Sequence, residues 1–146
     1  MYKKKFLLFS VFTLIISLLF SGCGASGAKF IKIEKPLKNH GLVYILRNSG
    51  AVYHMNDFQI HAVKEDGEDN FIGNLQNGGY LKYDAEEGKT GFWVSPVIAS
   101  VTYIDIQKDK MYCLEFNTHY LGTPVSLKLM DNKLCKEKLK STRNSK

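Results

Sequence analysis

The sequence predicts an all-β fold, an antiparallel β-sandwich of about eight strands or a partly closed barrel, and three observations carry that prediction. From residue 42 onward the apolar residues fall in short runs or in strict alternation, which is the period of a strand. Clusters of Asn, Asp, Gly and Ser punctuate those runs at positions suited to turns. Long helical patterns do not alternate with the strands, as a parallel α/β sheet requires, and no internal repeat is present.

Before that domain comes a segment of different character. Lysines occupy positions 3–5, and an apolar run of fifteen residues, 6–20, follows them. At 1.5 Å per residue such a helix is roughly 22 Å long, short of the ~30 Å hydrocarbon core of a bilayer, so a retained transmembrane helix loses on length. Ser10, Thr13 and Ser17 dilute the run further. A basic start, an apolar centre and small residues before a cysteine make the layout of an export signal. The stretch Leu19-Phe20-Ser21-Gly22-Cys23 resembles the lipobox of bacterial lipoprotein signals, with Phe20 where Leu is usual. That resemblance implies cleavage before Cys23, whose thiol then carries lipid on the first residue of the mature chain. Two or three acyl chains anchor durably, whereas one, at ~0.8 kcal/mol per buried CH₂, binds only marginally. Gly24 rather than Asp follows, which in a Gram-negative host implies an outer-membrane anchor facing the periplasm.

Residues 24–28, Gly-Ala-Ser-Gly-Ala, read as a flexible tether. With the mixed segment up to Gly41 its r.m.s. reach is roughly 25 Å, enough to stand clear of lipid headgroups. Phe30, Ile31 and Ile33 are expected to form a short edge strand that Pro36 and Asn39-His40-Gly41 bring to an end. Residues 42–47 make the first core strand. Residues 57–63 alternate, with Phe58, Ile60 and Ala62 inward and Asp57, Gln59 and His61 outward. The acidic stretch 65–70 turns the chain into a strand over 71–75, and Asn77-Gly78 suits a tight I′ hairpin into the strand 79–84. A turn at Glu87-Gly88-Lys89 leads to 90–95, with Phe92 and Val94 on one face and Trp93 on the other. Residues 100–106 set Thr102, Ile104 and Ile106 against Val101, Tyr103 and Asp105. After Lys108-Asp109-Lys110, residues 111–116 bury Tyr112, Leu114 and Phe116 and turn Cys113 and Glu115 outward. Residues 124–130 point Val125, Leu127 and Leu129 inward. Residues 132–140 have some helical character, with Leu134, Cys135 and Leu139 to bury, and the last six residues read as a frayed basic end. The organisation is thus a signal peptide over 1–22, a lipidated cysteine and tether over 23–41, the sandwich over 42–131 and a basic tail over 132–146.

Charge excludes one class of partner. The chain carries twenty Lys and Arg against fourteen Asp and Glu, but three of the lysines lie in the signal. From Asp131 to Lys146 six cations face two acids, and from Cys23 to Met130 eleven face twelve. The domain is therefore nearly neutral and has no electrostatic footprint for nucleic acid. Lys133, Lys136, Lys138, Lys140, Arg143 and Lys146 either touch anionic lipid, at ~1 kcal/mol per charge near the surface, or are simply solvated. With Cys23 taken by lipid, Cys113 and Cys135 are an even pair in an oxidising compartment. They form either a disulfide worth roughly 3 kcal/mol on the chain-entropy model or two reduced thiols.

Four motifs carry a resemblance over residues 42–131: Leu42-Val43-Tyr44-Ile45-Leu46-Arg47, Ile72-Gly73-Asn74-Leu75-Gln76-Asn77-Gly78-Gly79-Tyr80, Glu87-Gly88-Lys89 and Lys110-Met111-Tyr112. They are similar to the pattern of the domain-of-unknown-function family 2846 of small bacterial lipoproteins. In that pattern a Val-Tyr-x-x-Arg strand precedes a Gly-x-Leu-x-x-Gly-x-Tyr hairpin, a Pro-Gly-Lys-like turn and a Gly-Lys-x-Tyr-Tyr strand. This chain departs from it at Glu87, at Asp109-Lys110 and at Cys113. The resemblance implies a compact sandwich similar to PEGA-like or transthyretin-like domains, with no established activity and no catalytic residues.

The residues themselves offer little chemistry. His40, His54, His61 and His119 are scattered without ligand spacing, so neither a metal nor another cofactor is expected. The stretch 65–70 lacks the alternating acids and the bidentate Glu of a Ca²⁺ loop and reads as a solvated hairpin tip. There is no Gly-x-Ser-x-Gly elbow, and Glu86-Glu87 sits at a turn where nothing separates the two carboxyl pKa values. The positive feature is aromatic. Trp93 and Tyr103 are expected to share an outer face with Cys113, open to a partner protein or the apolar face of a sugar unless the tail or the N-terminal segment covers them. The expectation is a non-catalytic binding or structural module held by lipid at Cys23 in the bacterial cell envelope. An accessory subunit of a secretion or surface-appendage complex is the alternative, and an uncharacterised hydrolase a weaker one.

Overall fold

The computed structural model describes residues 24–50, 53, 56–96, 100–118 and 125–145, so the signal segment, Cys23, His54 and His119 lie outside the described residues. The elements are β1 (His40–Arg47), β2 (Phe58–Lys64), β3 (Asp69–Leu75), β4 (Gly79–Glu86), β5 (Gly88–Ser95), β6 (Thr102–Ile106), β7 (Met111–Thr118), β8 (Val125–Leu129), α1 (Asn132–Leu139) and β9 (Arg143–Asn144). They form two packed sheets, a five-stranded one in the order β8-β7-β1-β4-β9 and a four-stranded one in the order β3-β2-β5-β6. The all-β sandwich is thus present. The sheets do not close, so the barrel alternative falls: each keeps its own pair of edge strands.

Alternation builds the core. Val43 and Ile45 of β1, Ile60 and Ala62 of β2, Phe92 and Val94 of β5 and Leu114 and Phe116 of β7 meet between the sheets, with Ile104, Ile106, Val125 and Leu127 beside them. These strands give alternate residues to this layer, as the pleat requires. The exception is β1, where Gly41 through Arg47 are all buried. Its second face, Leu42, Tyr44 and Leu46, joins Cys113, Cys135 and Leu139 in a separate cluster behind the five-stranded sheet. A strand covered on both faces reads as a continuous apolar run, which Leu42-Val43-Tyr44-Ile45-Leu46 is. It also tolerates a parallel neighbour: β1 pairs parallel with β7, and β4 parallel with β9, so the sandwich is not wholly antiparallel.

Several expectations need correction, and burial is the common cause. Residues 141–145 are not frayed. Arg143 and Asn144 add a ninth strand beside Gly79 and Tyr80, and Thr142 and Ser145 are buried. Nor is the 24–28 segment a free tether. The amide of Ala25 donates to the Asn77 carbonyl at 3.0 Å, that of Asn144 to Ala28 at 2.8 Å and that of Phe30 to Thr142 at 3.2 Å. Phe30 and Ile33 form no strand beyond the single Lys29–Arg143 bridge. Phe30 instead packs edge-on against Tyr44 and Tyr80, with ring centres 6.0 and 5.6 Å away. Asn77-Gly78 does not close a hairpin, because β3 and β4 belong to different sheets. Only Gly78 of the two has positive φ, at 68°, whereas a I′ turn needs it at both. Leu129 is 57 % exposed and Leu134 43 % exposed, since β8 is an edge and α1 rests on its Cys135–Leu139 side.

Cys113 is the largest correction. It faces away from the inter-sheet core, as the alternation requires, but it is buried beneath α1 and bonded to Cys135, with the two Cα atoms 6.1 Å apart. Asp131 caps that helix by accepting from the amides of Lys133 and Leu134. A helix of eight residues is too short to persist alone, so the disulfide and the buried Leu139 hold it in place.

Candidate functional site

The terminal segments decide which face of the sandwich stays open. Residues 24–37 run along β1 and β4: Glu34 donates its amide to the Tyr44 hydroxyl at 3.1 Å, and the amide of Leu37 donates to Asp84 at 3.0 Å. Lys82 and Glu34 reinforce the contact with an ion pair at 2.7 Å. Helix α1 lies against β7. Both segments therefore cover the five-stranded sheet, and among the described residues nothing covers the outer face of the four-stranded one.

Trp93 and Tyr103 both lie on that open face. Cys113 does not join them, because β7 belongs to the other sheet. Trp93 stacks on His61, its partner across the β2–β5 ladder, with ring centres 4.3 Å apart and planes 20° apart. Its indole Nε1 donates to Asp69 Oδ1 at 3.0 Å, while His61 Nδ1 lies 3.0 Å from Asp69 Oδ2. An ionised carboxylate only accepts, so Nδ1 is the donor of that contact. Nε2 is buried with no partner among the described residues. Phe71 extends the row from β3, with its ring 5.5 Å from His61 and 56 % of its surface exposed.

Tyr103, 59 % exposed, sits across the ladder from Gly91. A Cβ at Gly91 would come within 2.8 Å of the tyrosine ring and 2.7 Å of Val101, so only glycine lets Tyr103 lie down on the sheet. Lys89 Nζ stands 5.1 Å from the centre of that ring. The result is an aromatic shelf running Phe71–His61–Trp93 and continuing to Tyr103, with a carboxylate at one end and an ammonium at the other. It suits stacking on a flat apolar surface with polar contacts at the margin. Sequence parity placed Trp93 and Tyr103 on an outer face. His61, Phe71, Asp69 and Lys89 were missed as members, although the alternation that turns His61 away from Ile60 was the available signal.

Elsewhere the polar groups serve the fold. Arg47, only 3 % exposed, donates to the carbonyls of Asn56 and Tyr53 and lies 5.1 and 5.3 Å from the Phe58 and Phe116 ring centres. Burial pushes its guanidinium pKa down, opposed by the charge of Asp57. It borders a cavity of about 210 Å³ with Asn48, Ser49, Asn77 and Asn117. At the other end Lys64 bridges Glu68 and Glu86, joining the two sheets. The hydrogen bond from Lys64 holds the Glu86 carboxyl below its ordinary range, and those from the two carboxylates raise the lysine. Residues 65–68 form the solvated tip of the β2–β3 hairpin, with Gly67 at φ 87° donating to the Lys64 carbonyl. No three His, Cys, Asp or Glu side chains converge as metal ligands among the described residues. No described helix is long and apolar enough to cross a membrane.

No family model, curated protein or solved structure matches the chain. The likeness to family 2846 rests on the short motifs alone.

Proposed function

We propose that this protein is a lipid-anchored component of the bacterial cell envelope, and that its sandwich is a non-catalytic binding module. The anchor is Cys23, behind a signal whose length and small residues fit lipoprotein processing. The observation that carries the binding role is the aromatic shelf, where Phe71 and Tyr103 are more than half exposed beside a half-buried Trp93, while both terminal segments lie on the opposite sheet. Exposed aromatic area of this kind is a costly surface for a monomer to keep in water, and it fits the apolar face of a sugar ring or a flat patch on an envelope protein.

Trp93 is the sole tryptophan, so its fluorescence reports directly on the shelf. Titration with solubilised envelope glycan, together with in-cell photocrosslinking from position 103, tests the reading. The expected result is a saturable emission shift in the parent, and a discrete crosslink from position 103 that is lost in Trp93→Ala and absent when the crosslinker sits at Lys128 on the other sheet. Equal yields from positions 103 and 128, with no emission change, refute it. The anchor is tested separately: Cys23→Ala is expected to leave an unprocessed precursor, and normal processing in that variant removes the lipoprotein reading.

A further inference from the structure

The docking of the N-terminal segment fixes where the lipid leaves the domain. Ala25 hydrogen-bonds Asn77, and a Cβ on Gly24 would lie 3.3 Å from the same carbonyl. Cys23 precedes Gly24 directly in the sequence. The described chain therefore begins at the end of the sandwich where β4 starts, beside Asn77, one residue after the anchoring cysteine.

That end is basic. Arg143 pairs with Gly79 and reaches the Gly27 carbonyl at 3.4 Å, and Lys29 bridges to Arg143. Lys140 is exposed just before them. Asp57, held at 3.4 Å by Gln76, and Glu137 are the nearby exposed acids, and Glu115 is engaged by Lys138. At the opposite end charges of both signs mix: Glu65, Asp66, Glu68, Glu86 and Glu87 surround the β2–β3 tip and the β4–β5 turn, with Lys64 and Lys89 among them and Lys108 and Lys110 in the neighbouring β6–β7 turn. The seven steps of β4 between Gly79 and Glu86 put those ends about 24 Å apart, roughly three Debye lengths at physiological salt.

The geometry points to an end-on orientation on an anionic lipid surface: the Gly50–Asn77–Arg143 end rests on the headgroups, the β2–β3 tip points away, and the aromatic shelf stands upright, facing sideways. This rests on acylation of Cys23.

The acylated full-length protein, purified from cells and returned to vesicles with nitroxide-labelled headgroups, tests it. Dyes are placed by Gly50→Cys, a site with open space around the new side chain, and by Asp66→Cys at the far tip. On vesicles containing phosphatidylglycerol, quenching at position 50 is expected to exceed that at 66 several-fold. The ratio is expected to fall on pure phosphatidylcholine and in a Lys29→Gln, Arg143→Gln variant. With an acyl mass on residue 23 and flotation with vesicles, equal or reversed quenching overturns the orientation alone, and a lipid-independent ratio overturns the electrostatic component. Absence of the acyl mass overturns this inference together with the anchored reading.

Discussion

Reducing the Cys113–Cys135 disulfide tests more of this structure than any other single change. The bond spans 22 residues, and closing a loop of that size removes about 3 kcal/mol of unfolded-state entropy on the chain-entropy model. With a urea m-value of about 1.5 kcal/mol/M for a domain of this size, the unfolding midpoint is expected to drop by about 2 M. The loss has a second, local part. Helix α1 is too short to stand alone, and the segment after it carries the carbonyls and amides that hold residues 28–30. Reduction is therefore expected to free α1, β9 and the N-terminal segment as one cooperative unit before the sheets open. Hydrogen exchange reads this directly: the amides of Phe30, Arg143, Asn144 and Ser145 lose protection together, while those of β1 and β5 keep theirs. The comparison uses the purified protein with and without reductant, thiols counted by alkylation, and a Cys113→Ala, Cys135→Ala variant as the permanent form. A midpoint moving by less than about 0.5 M, or the four amides exchanging independently, refutes the reasoning.

Three further outcomes follow from the packing. Arg47→Met is expected to cost about 1–3 kcal/mol, because the Asn56 and Tyr53 carbonyls lose their donor while relief of the buried charge offsets part of that; urea unfolding measures it. Gly27→Ala drives a Cβ into the Asn144 backbone oxygen, so about 1–3 kcal/mol is lost and limited proteolysis cuts within residues 24–30, where the parent resists. The Lys64–Glu86 pair gives a pH signature. The Glu86 carboxyl is depressed in the fold, so its contribution is present above the ordinary carboxylate range and is lost as pH falls through the lower folded value; the raised lysine contributes until pH rises past its folded value. Thermal midpoints of Lys64→Gln and the parent are therefore expected to differ slightly between about pH 5 and 9 and to converge below about pH 3. A gap that persists in acid refutes the pair as its source.

The sequence by itself determined the fold class and the parity of most strands. A two-residue period with turn chemistry at its breaks is a local property, and Phe58-Gln59-Ile60-His61-Ala62 reads the same in the chain as in the sheet. It also put Trp93 and Tyr103 on a common outward parity and paired the cysteines as one of two alternatives. Tertiary structure alone decided what covers each outer face. Alternation says which side a residue takes, not which sheet its strand joins, so Cys113 and Trp93 shared a parity and ended on opposite sides of the molecule. Composition made residues 24–28 and 141–145 look like loose ends, because small and basic residues supply little apolar area. Their order comes from backbone hydrogen bonds between segments more than a hundred residues apart, Asn144 to Ala28 and Phe30 to Thr142, which no local pattern encodes. The same contacts lay the N-terminal segment over β1 and β4 and, among the described residues, leave the aromatic shelf uncovered.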